Sequence, residues 1–193
     1  VMTSASHERA CDRAAEAMTK IEKEINVQID IVVMVQGDEP MLIPEMISES
    51  LKPIKKDPSV NIVNLMSEMQ TIEEFEDPNE VKVVTDNFSN AVYFSREPIP
   101  SQKKYSGNFP MLKQVCIIPF RKEYLIKFNS MPETNLEKIE SVDMMRIIEN
   151  GEKIRMVMTK VNSLSVDTEY DLERVRLEMK NDPLIKEYSY AKL

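Results

Sequence analysis

Four short apolar runs rich in β-branched residues, separated by segments with helical spacing, restrict what this chain can fold into more than any other feature. Ile29–Val35, Val60–Met66, Leu112–Ile118 and Ile154–Thr159 show little polar alternation. That is the pattern of strands covered on both faces in a parallel sheet. Ahead of the first of them, Ala10, Ala14, Ala17, Ile21 and Ile25 recur at spacings of three and four, which predicts a helix from about Glu8 to Glu24 with those residues on its buried face. Pro44 opens a helix carrying Met46, Ile47, Leu51 and Ile54, and Thr71 with Glu74 caps a short helix ending before Asp77-Pro78. Arg121–Phe128 and Leu136–Asn150 read as helices, the second stopped by Gly151, and Thr168 with Asp171 starts a last helix to about Met179. This alternation predicts one α/β domain with a Rossmann-like, doubly wound, mostly parallel sheet. A helical bundle is the alternative, but the runs at Ile29 and Leu112 are too short and too β-branched to favour it.

One insertion interrupts the rhythm. Val81–Thr85 and Ala91–Ser95, joined by Asp86-Asn87-Phe88-Ser89-Asn90, predict an antiparallel hairpin leaving the main sheet. The following stretch, Glu97–Pro110, has loop composition and the length of a functional or interface loop, and is expected to be the most mobile region.

Composition removes several classes of function. The formal net charge of −8 gives no broad basic footprint for nucleic acid, so small anionic substrates need local cations. Cys11, Cys116 and a single histidine, His7, are too few for a disulfide framework or a zinc cluster, and fit free thiols in a reducing cytoplasm. Neither a signal-peptide pattern nor an apolar run of membrane-spanning length is present, so no membrane partner is expected. Only three glycines occur, none close enough to another to make a Gly-rich phosphate cradle.

In open α/β sheets ligands bind beyond the carboxyl ends of the strands, which singles out Asp38 after the first strand and Asp167 after the last. As a pair they can hold a magnesium ion that keeps most of its water and binds substrate phosphates. Each also has a plain structural reading, Asp38 as a turn residue and Asp167 as a helix cap. Arg96 can meet a carboxylate or phosphate in bidentate fashion, or be an ordinary surface arginine. Glu140 can position a hydroxyl-rich ligand, or lie on a solvated helix face. The 14 methionines read as core filler.

Taken in order, Val35-Gln36-Gly37-Asp38-Glu39-Pro40, Asn79-Glu80-Val81-Lys82-Val83-Val84 and Tyr93-Phe94-Ser95-Arg96-Glu97-Pro98-Ile99-Pro100 resemble the motifs of the CMP-Kdo synthetases, the 3-deoxy-manno-octulosonate cytidylyltransferases. Leu136-Glu137-Lys138-Ile139-Glu140-Ser141, Gly151-Glu152-Lys153-Ile154 and Val166–Val175 continue the match over nearly the whole chain. The resemblance implies a nucleotidyltransferase-type fold and the reaction of CTP with Kdo or a related ulosonic acid, giving the CMP-sugar and pyrophosphate, with lipopolysaccharide synthesis as its setting. It implies magnesium on Asp38 and Asp167 as the catalytic pair, Gln36 and Arg13 near the nucleotide, and Gln36, Arg96, Gln114 and Glu140 about the sugar. It also implies a homodimer using the hairpin and the 97–110 loop.

Departures from the family pattern modify this reading. The family opens with a strand and a basic triphosphate loop ahead of the segment that resembles Val1-Met2-Thr3-Ser4, so the chain is expected to be an N-terminally incomplete domain, inactive on its own. Relatives carry Ser-Gly-Thr where Arg9-Ala10-Cys11 stand here, which alters a stretch near the cytidine. The family's sugar-facing His and Tyr fall on Gln114 and Ile118, and a Gln on Met144, so an amino-Kdo or a nonulosonic acid competes with Kdo as substrate. The rival reading is a catalytically silent binding or assembly module that keeps the scaffold.

Overall fold

The computed structural model describes residues 1–105, 107–161 and 163–188. Ser106, inside the expected loop, lies outside them. The chain forms α1 (Ala10–Ile25), β1 (Ile31–Val35), α2 (Pro44–Lys56), β2 (Val63–Glu68), α3 (Ile72–Glu76), β3 (Lys82–Thr85) and β4 (Ala91–Ser95). It continues with β5 (Leu112–Val115), β6 (Ile117–Arg121), α4 (Lys122–Ser130), α5 (Asn135–Glu140), α6 (Met145–Glu149), β7 (Arg155–Met158), α7 (Glu169–Met179) and α8 (Pro183–Tyr188).

The expected strand at Leu112 is two strands broken at Cys116, and this break organises the sheet. On one side β2 runs antiparallel beside it, Leu65 opposite Val115 and Glu68 opposite Leu112, with an isolated bridge from Ile62 to Phe120 beyond the break. On the other side the partner changes: β1 lies along β6, from Ile31 opposite Arg121 to Val35 opposite Ile117, while β3 meets β5 at Lys82 and Lys113. β7 adds a parallel ladder on the far edge of β2, from Val63–Arg155 to Met66–Met158. Hence β1, β2, β3 and β7 share one direction, and β4, β5 and β6 run against them. The α/β class with flanking helices is as the sequence predicts. The sheet is mixed instead of mostly parallel, because the reversed β5–β6 strand sits between β1 and β2 and leaves β2–β7 as the single parallel ladder among the described residues. The hairpin does not leave the sheet: the order β4-β3-β5-β2-β7 makes it one edge.

Both faces are covered, as the apolar runs require. Met46 of α2 packs on Leu65, Val115 and Ile117, while Cys11 of α1, Leu125 and Phe128 of α4 and Met145 and Ile147 of α6 close the other face over Ile118 and Phe120. The predicted face of α1 is turned relative to expectation. Cys11 and Met18 are its buried residues and Ile25 is exposed, while Ala10, Ala14 and Ala17 line a cavity in which the small side chain leaves room. No helix among the described residues is long and apolar enough to cross a membrane.

Candidate active site

Where β1 ends and β3 begins, both beside Cys116, the two strands diverge and a cleft opens beyond the carboxyl end of β1. The Gln36 amide donates to the Cys116 carbonyl at 3.2 Å on one side of the gap, and the Gln114 amide donates to the Val81 carbonyl at 2.8 Å on the other. The cavity above it has a volume of about 820 Å³ and is lined by Arg13, Gln36, Asp38, Arg96 and Gln114, with the alanines of α1 as its far wall. A smaller cleft of about 110 Å³ continues from it and brings Asp167 to Gln36, Asp38, Arg96 and Gln114. Segments distant in sequence thus converge where β1, β2 and β7 all deliver their carboxyl ends.

The two aspartate-bearing segments are tied together. The Val166 amide donates to the Asp38 carbonyl at 2.9 Å. Next to it Glu39, 5% exposed, accepts from the Cys116 amide at 3.0 Å and from the Ser163 hydroxyl, so one carboxylate joins the β1 turn, the strand break and the loop after β7. Burial pushes the Glu39 carboxyl up, against the hydrogen bonds from Ser163 and Cys116. Burial also raises the Asp38 carboxyl; its own backbone N–H offsets part of this and the Asp167 charge adds to it. The Asp38 Oδ1 atom is buried without a hydrogen-bond partner among the described residues. A buried carboxylate oxygen without a donor, beside a second carboxylate, is a costly arrangement for a protein alone and a suitable one for a cation.

Arg96 is fixed from behind. Its Nε donates to the Glu140 carbonyl at 2.8 Å, Nη1 to the Pro78 carbonyl at 2.8 Å and Nη2 to the Ser141 carbonyl at 3.5 Å. The Glu140 carboxylate accepts from the Arg96 amide at 2.9 Å, from the Tyr93 hydroxyl at 3.1 Å and from the Ser95 hydroxyl at 3.1 Å. Lys82, fully buried, donates to the Arg96 carbonyl at 2.5 Å and to the Asp77 carbonyl at 2.7 Å, and burial lowers its pKa. Arg13, exposed on α1, donates to the Ser4 carbonyl at 3.0 Å and the His7 carbonyl at 2.9 Å, which folds the first residues over the cavity rim.

Residues 1–154 match the family model described as cytidylyltransferase. This chain belongs to the cytidylyltransferase family. The 3-deoxy-manno-octulosonate cytidylyltransferase of Geobacter sulfurreducens (strain ATCC 51573 / DSM 12127 / PCA) is 40% identical over 189 residues, covering 93% of this chain and 73% of the relative. The protein of the same name from Pelobacter propionicus (strain DSM 2379 / NBRC 103807 / OttBd1) is 38% identical over 185 residues, covering 91% and 70%. Among solved structures, CMP:2-keto-3-deoxy-manno-octonic acid synthetase complexed with CTP is similar at a TM-score of 0.81 and 34% identity, over 93% of this chain and 71% of that one. The family resemblance drawn from the ordered motifs is thereby borne out, and with it the nucleotidyltransferase-type fold.

In this cytidylyltransferase the structure brings Arg13, Gln36, Asp38, Arg96, Gln114 and Asp167 around one cavity system. Glu140 lines neither part; it stands behind Arg96. Several contributors escaped the sequence reading. Glu39 and Lys82 stand in the ordered motifs without an assigned role, and neither the Lys113–Glu80 pair at 2.8 Å nor Asn64, fully buried under Gln114, has one in the sequence reading. A lysine or asparagine inside an otherwise apolar strand is the signal that could have found them.

Proposed function

We propose that this chain transfers CMP from CTP to Kdo or a closely related ulosonic acid, releasing pyrophosphate. The observation that carries this is the meeting of Asp38 and Asp167 with Gln36, Arg96 and Gln114 at one cavity in a member of this family. The anomeric hydroxyl attacks the α-phosphorus, the bond from that phosphorus to the bridging oxygen of the β-phosphate breaks, and the hydroxyl gives up its proton to solvent.

Asp38 and Asp167 would hold a divalent cation, magnesium, and the unpartnered Asp38 Oδ1 supports that assignment. Among the described residues no group of three or more His, Cys, Asp or Glu is arranged for a metal, so the other ligands would be water and phosphate oxygens, as magnesium prefers. When bound, the cation offsets the triphosphate charge and stabilises charge developing at phosphorus. The chain's own groups do the positioning: Gln36 and Arg13 beside the nucleotide, Gln114 beside the sugar, and Arg96 presenting its guanidinium to the sugar carboxylate, with Glu140 fixing it. No enzyme nucleophile is required, and catalysis rests on orientation and electrostatics.

We also read a homodimer, supported by exposed Val92 and Phe88 on the hairpin and Tyr105 on the following loop. Cytoplasmic operation suits the free thiols Cys11 and Cys116.

The test is pyrophosphate release from CTP and magnesium with a panel of ulosonic acids. It is run on the chain and on a version carrying at its N-terminus the opening segment of the Geobacter sulfurreducens relative, because the resemblance places a basic triphosphate loop there. Release that is lost in Asp38→Asn and Asp167→Asn supports the reading. Binding of CTP without release by either folded protein would replace it with a silent binding module.

A further inference from the structure

We infer that Gln114 is locked by Asn64 as a hydrogen-bond acceptor, and that it selects ulosonic acids presenting a donor, a hydroxyl or an ammonium, at that point of the cavity. This rests on the reading of the site given above and adds the polarity of one subsite to it.

The orientation follows from what each atom can do. Asn64 lies on β2 and Gln114 on β5, where Gln114 opposes Met66, so the two side chains are diagonal neighbours on one face of an antiparallel pair. Asn64 is fully buried, and its Nδ2 donates to the Leu65 carbonyl at 2.9 Å and to the Val115 carbonyl at 2.8 Å. Backbone carbonyls only accept, so the amide nitrogen of Asn64 must face them and its Oδ1 must face Gln114. Gln114 in turn has to offer its nitrogen: Nε2 donates to Asn64 Oδ1 at 2.6 Å. The amide cannot flip without opposing two oxygens. Its Oε1 is left for the cavity that Gln114 lines and takes no hydrogen bond among the described residues. A glutamine on the surface turns its amide either way; here the buried relay uses one of the two N–H groups on Asn64 and fixes the orientation, with Oε1 on the side away from it.

A site built to pair with a donor rejects an analogue that lacks it, because a polar group is then left unpaired and partly desolvated. Asn64 is therefore a positioning residue and Gln114 the residue that meets substrate.

The experiment, run on the N-terminally extended protein described above, compares Kdo with analogues in which one hydroxyl at a time is replaced by fluorine, which cannot donate, or by ammonium, which cannot accept. At one position the fluoro analogue should lose roughly 10- to 100-fold in kcat/KM while the ammonium analogue is used within a few-fold of Kdo. Gln114→Leu should abolish that difference at that position and leave the other positions as they were. Independently of substrate, the Gln114 side-chain amide proton that meets Asn64 should be protected from exchange and shifted downfield of its geminal partner in NMR spectra of the free protein, and should lose both properties in Asn64→Leu. Unprotected Gln114 protons in the native protein would overturn the lock, whatever the kinetics. CMP transfer to all analogues without discrimination would overturn the subsite alone, whereas CMP transfer to none of the acids, Kdo included, would overturn the reading of the site and this one with it.

Discussion

Arg96, proposed above to meet the sugar carboxylate, shows how a single side chain is prepared for a ligand. A guanidinium has five N–H donors in a fixed plane, and three of them are spent on the carbonyls of Glu140, Pro78 and Ser141. The remainder is held rigidly toward the cavity, so little conformational freedom is lost when an anion arrives. Lysine can carry the charge but not the fork. Arg96→Lys is therefore expected to lower kcat/KM for the sugar by about 10- to 100-fold, the usual worth of a charge-assisted hydrogen bond, with a small change in melting temperature. Steady-state kinetics beside a thermal melt checks this; unaltered kinetics would mean that Arg96 serves the hairpin alone. At this scale Asp38, Asp167 and Arg96 are legible as candidates because they are charged residues that follow strands, Asp38 and Arg96 closely and Asp167 through the loop between β7 and α7. Asn64 is not, since its contribution depends on which of two amide atoms faces a neighbour about fifty residues away in sequence, and no local pattern records that.

At the scale of elements, the stretch Leu136–Asn150 reads as one helix and folds as two. Apolar spacing continues across it, so periodicity is blind to the break at Ser141, which takes a left-handed φ of 53°. A buried ion pair spans the break. Arg146 of α6 donates to Glu137 of α5 from Nε at 2.8 Å and Nη2 at 2.5 Å, lies over the Phe128 ring and also donates to the Phe128 and Met131 carbonyls. This pair sets where the Glu140–Asp143 corner sits, and that corner holds Arg96 and lines the cavity. Burial raises the Glu137 carboxyl, but hydrogen bonds from Arg146 and the Thr134 amide outweigh it, and the pKa ends below the ordinary 4.5. A carboxylate with a lowered folded pKa contributes stability above its unfolded value and loses it as pH falls through the folded one. Glu137→Gln should thus cost about 3–5 kcal/mol at pH 7, because it leaves Arg146 buried without its partner. Its urea midpoint should also fall less than the native one between pH 5 and pH 3, on the order of one pair's linkage. Parallel pH profiles for the two proteins would dismiss the pair as the source of the acid sensitivity.

At the scale of the whole molecule, the layers and the shared direction of β1, β2 and β7 are legible because strands buried on both faces and joined through helices have few other solutions. The reversed strand between β1 and β2 is not, since a run such as Leu112–Ile118 has the composition of a buried strand in either direction. Charge also acts at this scale. The chain carries −8 formally, and its cavity sets Arg9, Arg13 and Arg96 against Glu8, Asp38 and Asp143, so the balance around the entrance is near neutral while the molecule as a whole repels a polyanion. The repulsion reaches about 30 Å at 0.01 M salt and about 8 Å at 0.15 M, whereas contacts inside the cavity are screened far less. Association of magnesium-CTP should therefore accelerate with added salt, by a factor on the order of two to five across that range. Its dissociation rate should change little. Stopped-flow measurement at several ionic strengths reads both constants directly. A steep fall in the association rate, of the kind shown by basic proteins that bind polyanions, would mean that the three arginines dominate the field at the entrance and that the net charge is borne on faces the nucleotide never approaches.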